Sequence, residues 1–509
     1  MIETMTRPAS GLERSGLAVP AIPDVNRFER AFARAAGAEP VAGNFVRLLL
    51  DSSENFPAWL AAIRGAQRYI LFEMYIVSDD RVGRMFVDAL AERARAGVQV
   101  YVVYDWLGSL WARKLWVLLR AAGVHVAGFN PPSFDSPLAW LTRDHRKSIV
   151  VDDEVGFVSG LCVSCVWEGN ATKRLEPWRD TGVEIRGGAV ADLVRAFDVM
   201  WLACGRKPLQ LPHHPVTTIA GTAIVRVIAG VPNAAGAYRT DLLVASVAHD
   251  RLWLTDAYFV ATSAYTQALR AAAKDGVDVR LLVPGASDIP AVSPLSRAGY
   301  RPLLEAGVRV FEWNGTMLHA KTAVADGLWS RVGSTNLNLA SWMSNYELDV
   351  AVEDVAFAKQ MEAQYERDLE RATEVVLTRR NRVRRAAGEL AEVEGAAHPN
   401  VKRAKRGSAG RAVAGAASVG SALGAALTNR RTLGPAEAGL LGVVATATVC
   451  LALFAFFFPR ALAWPIAFVA GWIGVAWGVK GWVLWLRARR LRAAAARRVP
   501  LDPAGGPPG

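Results

Sequence analysis

Two short motifs carry the side chains that are best suited to chemistry. His145 and Lys147 alternate in the first motif, and His319 and Lys321 alternate in the second. In an extended strand, residues at i and i+2 point to one face, so each motif would present a neutral imidazole and an ammonium to the same pocket. A lone His in a strand is more often a core or surface residue. Two matched copies among only seven His instead indicate a functional site, in which an imidazole can act as nucleophile, acid or base.

Each motif continues with the same spacing to an aspartate. Asp152 follows the first motif and Asp326 the second, so both fit the pattern HxKxxxxD. The apolar residues 149–151 and 323–325 would tie each strand into the core. We interpret the two Asp as structural members of the motifs that support the turn after each strand.

The motifs lie within an internal repeat. The strand-like run 68–76 is similar to 251–260, and 97–104 is similar to 276–283. A helix-like segment precedes the second run of each copy, so both copies alternate as β-α-β with buried parallel strands. The repeat organises residues 45 to about 375 into two α/β halves.

Charge is unevenly distributed along the 509 residues. The net charge is +12, yet the residues before 379 are slightly acidic, so the basic character belongs to the segments that follow. This distribution argues against a nucleic-acid groove and favours an anionic membrane surface as the partner of the basic segments. The four Cys are too few for a disulfide framework.

Two uncharged stretches, 438–458 and 461–479, lie near the C-terminal end. At about 1.5 Å per helical residue, each is long enough for a bilayer core of about 30 Å, which predicts a transmembrane hairpin. The alternative is a buried helical pair of a soluble domain, which the flanking Trp and Arg residues disfavour. The Arg residues on both sides place both chain ends in the cytoplasm by the positive-inside rule, and the N-terminal residues lack the apolar core of a signal peptide.

These features predict a multi-pass protein of the cell (inner) membrane with its catalytic body and both termini in the cytoplasm. The predicted segments are an N-terminal extension (1–44), a first half (45–215), a second half (216–378), a basic Gly/Ala-rich linker (379–436), a transmembrane hairpin (437–486) and a basic cytoplasmic tail (487–509).

The sequence resembles the phospholipase D superfamily, whose signature is two HxKxxxxD motifs that meet at a pseudo-twofold axis. Residues 333–336 read GSTN and match the family's GSxN, and 345–347 read NYE and match its NxE. Residues 177–181 read PWRDT, a stretch typical of bacterial cardiolipin synthases. The resemblance covers roughly residues 45–375. It implies an α/β fold of two repeats, each a mixed sheet flanked by helices, around one active site.

The first half departs from the family pattern at Cys162. Family members commonly carry GGxN there, whereas this chain reads SGLC at 159–162, so a thiol replaces an amide. We therefore expect a site that is not fully symmetric, with one phosphate contact fewer in the first half. Cys162 and Cys165 form a single CxxC pair, which lacks the four ligands of a structural zinc site.

The resemblance implies phosphodiester chemistry at the two histidines. His145 would attack and form a phosphohistidine, and His319 would protonate the departing alcohol. The symmetry of the motifs leaves the reverse assignment open. This chemistry needs neither a metal nor another cofactor.

The resemblance also assigns roles to the residues around the histidines. Lys147, Lys321 and Asn336 would bind phosphate oxygens. Asp180 and Glu347 precede similar strands, and each would hydrogen-bond one catalytic His and fix its orientation.

The implied reaction joins a phosphatidyl group to phosphatidylglycerol and makes cardiolipin. The substrates would be phospholipids, with phosphatidylglycerol or phosphatidylethanolamine as donor. A phospholipase D-type hydrolase is the competing enzyme, because the motifs alone do not choose between water and an alcohol. A nuclease is disfavoured by the acidic body, and a noncatalytic membrane organiser by the intact His and Lys in both halves. The sequence leaves the oligomeric state open.

Overall fold

The computed structural model describes residues 25–132, 142–170, 176–211, 219–289, 292–377 and 383–385, with further helical positions between 449 and 489. Most of the predicted linker (379–436) and tail (487–509), and much of the predicted hairpin (437–486), lie outside the described residues; residues 383–385 of the predicted linker form a strand at the edge of the sheet. Among the residues that are described, no helix is both long enough and apolar enough to cross a membrane.

The first half alternates strands and helices. Its strands are β1 (Val41–Leu50), β2 (Tyr69–Met74), β3 (Gln99–Asp105), β4 (His125–Phe129), β5 (Lys147–Val151), β6 (Val155–Ser159) and β7 (Thr181–Arg186). Its helices are α1 (Val25–Ala36), α2 (Asp51–Gly65), α3 (Arg81–Arg95), α4 (Arg113–Ala121), α5 (Cys165–Glu168) and α6 (Val190–Ala203).

The second half follows the same plan. Its strands are β8 (Ala223–Gly230), β9 (Arg251–Thr255), β10 (Asp278–Pro284), β11 (Arg309–Trp313), β12 (Thr322–Ala325), β13 (Trp329–Gly333), β14 (Glu347–Glu353), β15 (Ala372–Leu377) and β16 (Val383–Arg385). Its helices are α7 (Gly236–Val247), α8 (Ser263–Lys274), α9 (Val292–Leu304), α10 (Leu339–Met343) and α11 (Val355–Glu370).

The two halves have the same strand order and meet at an antiparallel pair, β1 with β8. Outward from that pair, the first half runs β1-β7-β6-β5-β2-β3-β4 and the second runs β8-β14-β13-β12-β9-β10-β11, with β15 and β16 at the far edge. Strands β2, β3 and β4 are parallel, as are β9, β10 and β11. The predicted mixed sheet with flanking helices is confirmed.

Apolar residues on both faces of the sheet explain why the halves form and stay together. Strand β2 is buried at every position, as expected of a strand with helices on both sides. Phe197 of α6 and Phe357 of α11 belong to one apolar cluster to which strands of both halves contribute. Burying each of these rings stabilises the fold by about 1.5–3 kcal/mol. The shared core fixes the halves relative to each other, and with them the two motifs.

Helix α1 falls within the predicted N-terminal extension but packs on the second half. Phe32 is buried in the core of that half, with its ring 6.2 Å from the ring of Trp329. Glu29 forms an ion pair with the buried Arg226 of β8. The part of the extension that the structure describes therefore belongs to the α/β body.

Candidate active site

Each motif histidine is held by a carboxylate from the other half. His145 Nδ1 lies 2.8 Å from Glu347 Oε2, and His319 Nδ1 lies 2.7 Å from Asp180 Oδ2. Because an ionised carboxylate only accepts hydrogen bonds, we assign the proton of each neutral ring to Nδ1 and the lone pair to Nε2. Both histidines line the same cleft between the halves. The structure thus brings together four of the predicted site residues in two crossed pairs.

Short bridges between the halves bring each His to its acid. Asp144 pairs in parallel with Tyr346, and Leu318 pairs in parallel with Arg179. The residue before each His therefore lies beside the residue before each acid. The His145 N–H donates to the carbonyl of Tyr346 at 2.9 Å. The backbone, and not only the side chains, fixes the two pairs.

Glu347 is positioned by two further side chains. Ser334 Oγ donates to its Oε2 at 2.6 Å, and Asn345 Nδ2 donates to its Oε1 at 3.2 Å. Burial alone would raise the pKa of Glu347, but His145 and Lys147 hold that pKa below its ordinary value. The carboxylate is therefore ionised and can accept the proton of Nδ1.

Asp180 contacts its histidine as Glu347 does, but different groups hold the Asp180 carboxylate in place. Trp167 Nε1 donates to its Oδ2 at 2.9 Å, and the Thr181 N–H donates to its Oδ1 at 2.9 Å. A Cβ at Gly160 would lie 2.1 Å from Asp180 Oδ1, so only glycine fits where the second half has Ser334. Burial would raise the pKa of Asp180, but the charge and hydrogen bond of His319 lower it.

The residues beside Asp180 hold its strand in place. Arg179 is buried, with its Nε 2.9 Å from Asp368 Oδ1 and its Nη1 3.2 Å from Asp51 Oδ1. The Asp180 N–H also donates to Asp51 Oδ1, at 2.8 Å. The PWRDT stretch therefore supplies both the acid and the arginine that anchors it, whereas Asp51 and Asp368 have no signal in the motifs.

Lys147 and Lys321 are fully buried beside their histidines. Each ammonium donates to the carbonyl of its own motif's His. Lys147 Nζ lies 5.1 Å from the ring centre of Tyr75, and Lys321 Nζ lies 5.7 Å from that of Tyr258, both within the range of a cation–π contact. The sequence reasoning did not single out these tyrosines, although the repeat places them at matching positions.

Burial sets the protonation of the two histidines. It lowers the pKa of His145, and together with the charge of Lys321 it lowers the pKa of His319 to about 3. Both imidazoles are therefore neutral near pH 7 before substrate binds, which suits a nucleophile. The second histidine can gain its proton once an anionic phosphate lies beside it, because a nearby negative charge raises the pKa of an imidazole.

We expect phosphate binding to weaken as the pH rises through about 8. Burial lowers the pKa of Lys321 to about 8, so its ammonium is charged below that pH and neutral above it. The inhibition constant of a nonreactive phosphonate analogue of phosphatidylglycerol should therefore rise between pH 7 and 9. The rise should move to higher pH in Lys321→Arg, because a guanidinium stays charged. Equal pH profiles for the two proteins would contradict this origin.

Asp152 and Asp326 lie at the far ends of the motif strands. Each carboxylate accepts three consecutive backbone N–H groups, from residues 67–69 or 249–251, at 2.6–2.9 Å. Both residues adopt left-handed backbone angles, with φ of 57° and 52°, which Asp tolerates. They cap the turns that start β2 and β9 and do not line the cleft.

Asn336 and Cys162 occupy counterpart positions on the cleft, which has a volume of about 70 Å³. Asn336 Nδ2 donates weakly to Ser341 Oγ at 3.4 Å, and its Oδ1 has no hydrogen-bond partner among the described residues. Buried polar atoms are rarely left without a partner, so this amide has capacity for a ligand. The thiol of Cys162 provides no such amide on the other side.

Two buried acids near the motifs were also missed. Glu73 accepts a hydrogen bond from Ser148 Oγ at 2.9 Å, and Asp256 accepts one from the Leu337 N–H at 2.9 Å. Burial raises the pKa of each to about 7. Glu73 and Asp256 occupy the same position in the two copies of the repeat. This match in the sequence could have identified them. Among the described residues, no cluster of three or more His, Cys, Asp or Glu side chains could hold a metal ion.

The doubled fold and the crossed histidine–carboxylate pairs define a protein of the phospholipase D type. Residues 244–369 match the family described as Cardiolipin synthase, PLD-like domain. The chain is 38% identical over 364 residues to Cardiolipin synthase A of Pseudomonas aeruginosa. This alignment covers 70% of this chain and 73% of the relative. The chain is 34% identical to Cardiolipin synthase of Geobacillus kaustophilus over 323 residues, 62% of this chain and 64% of the relative. The chain belongs to the cardiolipin synthase family of the phospholipase D superfamily.

A solved structure has a similar fold. The phosphatidylserine synthase of Haemophilus influenzae Rd KW20 aligns with a TM-score of 0.56 at 14% sequence identity, covering 69% of this chain and 92% of that one. At this identity the likeness describes the arrangement of helices and strands alone.

Proposed function

We propose that this protein is a phosphatidyltransferase that makes cardiolipin from phosphatidylglycerol through a phosphohistidine intermediate. One observation carries the proposal: two histidines from different halves line one cleft, each with Nδ1 fixed by a carboxylate of the opposite half. This arrangement leaves both Nε2 atoms for chemistry. The family membership supplies the substrate class.

In the first step, His145 Nε2 attacks the phosphorus of the donor lipid. A P–N bond forms, and the bond between phosphorus and the headgroup oxygen breaks. His319 gives its proton to that oxygen, so glycerol leaves as a neutral alcohol. Lys147, Lys321 and Asn336 bind the nonbridging oxygens, on which negative charge accumulates in the transition state.

In the second step, a free hydroxyl of another phosphatidylglycerol attacks the phosphohistidine. His319, now neutral, accepts the proton of that hydroxyl, and the P–N bond to His145 breaks. Two phosphatidylglycerols thus give one cardiolipin and one glycerol. The two histidines are held alike, so the opposite division of roles follows the same scheme.

The fate of the intermediate tests this function against a hydrolase. Purified protein is incubated in phosphatidylglycerol vesicles with and without high glycerol, and both lipid products are quantified. We expect more cardiolipin than phosphatidic acid, because a well-oriented hydroxyl can reach an effective molarity of about 10⁵ M or more, far above that of water. Added glycerol should push the reaction backward. Phosphatidic acid as the main product, insensitive to glycerol, would identify a phospholipase D-type hydrolase instead.

We further propose that the C-terminal segments anchor the body to the cell (inner) membrane. The support is the pair of uncharged stretches within 437–486, the Arg residues on both sides and the basic linker 379–436. In this arrangement the halves 45–215 and 216–378 and both termini lie in the cytoplasm, and basic residues contact the anionic leaflet.

Deleting the residues after 385 should release a folded body from the membrane. The cut leaves β15 and β16 in place, and the apolar cores of the halves are built from residues before it. We expect the truncated protein in the soluble fraction with cooperative thermal unfolding. A truncated protein that stays in the membrane pellet would place the anchor elsewhere.

The orientation is tested separately on the full chain. Cys introduced near the N-terminus and at residue 495 should react with an impermeant reagent only after the cells are opened. Labelling of either position in intact cells would overturn the proposed orientation.

A further inference from the structure

The first motif carries a charged residue that the second lacks. Arg143 lies two residues before His145, at the position that Met317 occupies before His319. Backbone hydrogen bonds link residues on both sides of Asp144 to Tyr346, so this segment is extended. Alternate residues in such a segment share a face. Arg143 therefore extends the row of His and Lys on one side of the twofold axis only.

Only part of the hydrogen-bonding capacity of Arg143 is used within the described residues. Its side chain is 3% exposed and lines the cleft. Nη1 donates to Asp105 Oδ1 at 3.0 Å, whereas Nε and Nη2 are buried with no hydrogen-bond partner among the described residues. Asp105 in turn accepts the N–H groups of Gly108 and Asp144 at 2.8 and 3.0 Å. One edge of a buried guanidinium is thus held in place while two of its nitrogens lack acceptors, which is costly without a ligand.

We propose that Arg143 binds the phosphate of the acceptor phospholipid; this inference rests on the proposed function. The donor phosphate lies between the two histidines and the two lysines, which both halves supply equally. Arg143 lies one step further along the row, about 6.6 Å from His145 along an extended strand. In cardiolipin a three-carbon glycerol separates the two phosphates by a comparable span. A guanidinium can bind phosphate oxygens through two parallel N–H groups.

A bound acceptor phosphate would explain why the first half has Arg143 where the second half has Met317. Water and glycerol can also attack the phosphohistidine, but neither carries a phosphate. A cation beside the intermediate would place the hydroxyl of an anionic lipid in line with phosphorus and favour it over both competitors. Arg143 is therefore a specificity-determining residue for the second step.

Glycerol exchange and cardiolipin formation, measured on the same protein, distinguish the first step of the proposed reaction from the second. Exchange of labelled glycerol into phosphatidylglycerol needs only the phosphohistidine, whereas cardiolipin formation also needs the acceptor phosphate. We expect Arg143→Met, which installs the residue of the second half, to lower the ratio of cardiolipin formation to glycerol exchange by about 10- to 100-fold, the effect of losing a hydrogen bond to a charged group. Arg143→Lys should restore part of the ratio because it keeps the charge.

Arg143→Gln is a second variant that controls for a folding defect, because its amide can still donate to Asp105. Its ratio of cardiolipin formation to glycerol exchange should fall as well. An unchanged ratio in the Met and Gln variants would overturn the inference. So would an equal loss of both reactions, which would assign Arg143 to the donor phosphate. His319→Asn should lose both reactions and serves as the control. A wild-type protein that exchanges glycerol but forms only phosphatidic acid would instead refute the proposed function, and the inference would fall with it.

Discussion

Replacing either motif histidine with asparagine should abolish cardiolipin formation and leave the protein folded. In the proposed mechanism His145 and His319 perform different parts of the reaction, so neither can substitute for the other. The loss of a catalytic acid or base typically costs about 10²- to 10⁴-fold, and the loss of a nucleophile at least as much. Asparagine can still donate to the carboxylate that holds each ring. The measurement is the initial rate of cardiolipin formation in phosphatidylglycerol vesicles.

His249→Asn is the matched control for these variants. Its side chain is exposed and contacts Asp250, away from the cleft. It should retain full activity. Near-normal rates in His145→Asn or His319→Asn would contradict the mechanism with two histidines.

A donor with a nitrophenol headgroup should separate the two roles. Nitrophenolate leaves without a proton, so the first step no longer needs an acid. We expect His319→Asn to release nitrophenol from this lipid, whereas His145→Asn should not. The opposite pattern would exchange the roles of the two histidines.

Replacing the acids that hold the histidines should have the second largest effect. Asp180→Asn and Glu347→Gln keep the size of each side chain, but an amide can turn its N–H toward Nδ1 and stabilise the wrong tautomer. By analogy with the acid of a serine protease triad, the expected loss in turnover is up to about 10⁴-fold. The measurement is again the rate of cardiolipin formation.

The nitrophenol donor shows whether each acid acts through its own histidine. Asp180→Asn should be rescued in nitrophenol release, because Asp180 holds His319, the proposed acid. Glu347→Gln should not be rescued, because Glu347 holds His145, the proposed nucleophile. A merely structural role would give equal losses with both donors. Asp278→Asn is the control, since Asp278 also accepts from a tryptophan, Trp253, but lies outside the cleft.

The repeat and the two histidine motifs could be recognised in the sequence because both leave local patterns. Two HxKxxxxD motifs and two matching β-α-β runs can be read without knowing how the halves dock. The crossed pairing of Asp180 with His319 and of Glu347 with His145 could not be read in this way. It depends on bridges between segments that are distant in sequence.

Other features of the site depend on packing that a single sequence does not reveal. Gly160 has to be glycine because Asp180 occupies the space of a side chain. The partial satisfaction of Arg143 depends on where Asp105 ends β3. Tyr75 and Tyr258 could have been identified from the sequence, because the repeat aligns them. Their contact with the lysines follows only from the folded sheet.

The most direct measurement of the covalent route is the mass of the peptide that contains His145. His319→Asn is mixed with the nitrophenol donor and quenched; without the base that activates the acceptor, the phosphatidyl group should remain on the enzyme. We predict a phosphatidyl adduct on His145 in an amount that matches the burst of nitrophenol. A burst without an adduct on this peptide would contradict a phosphohistidine intermediate at His145.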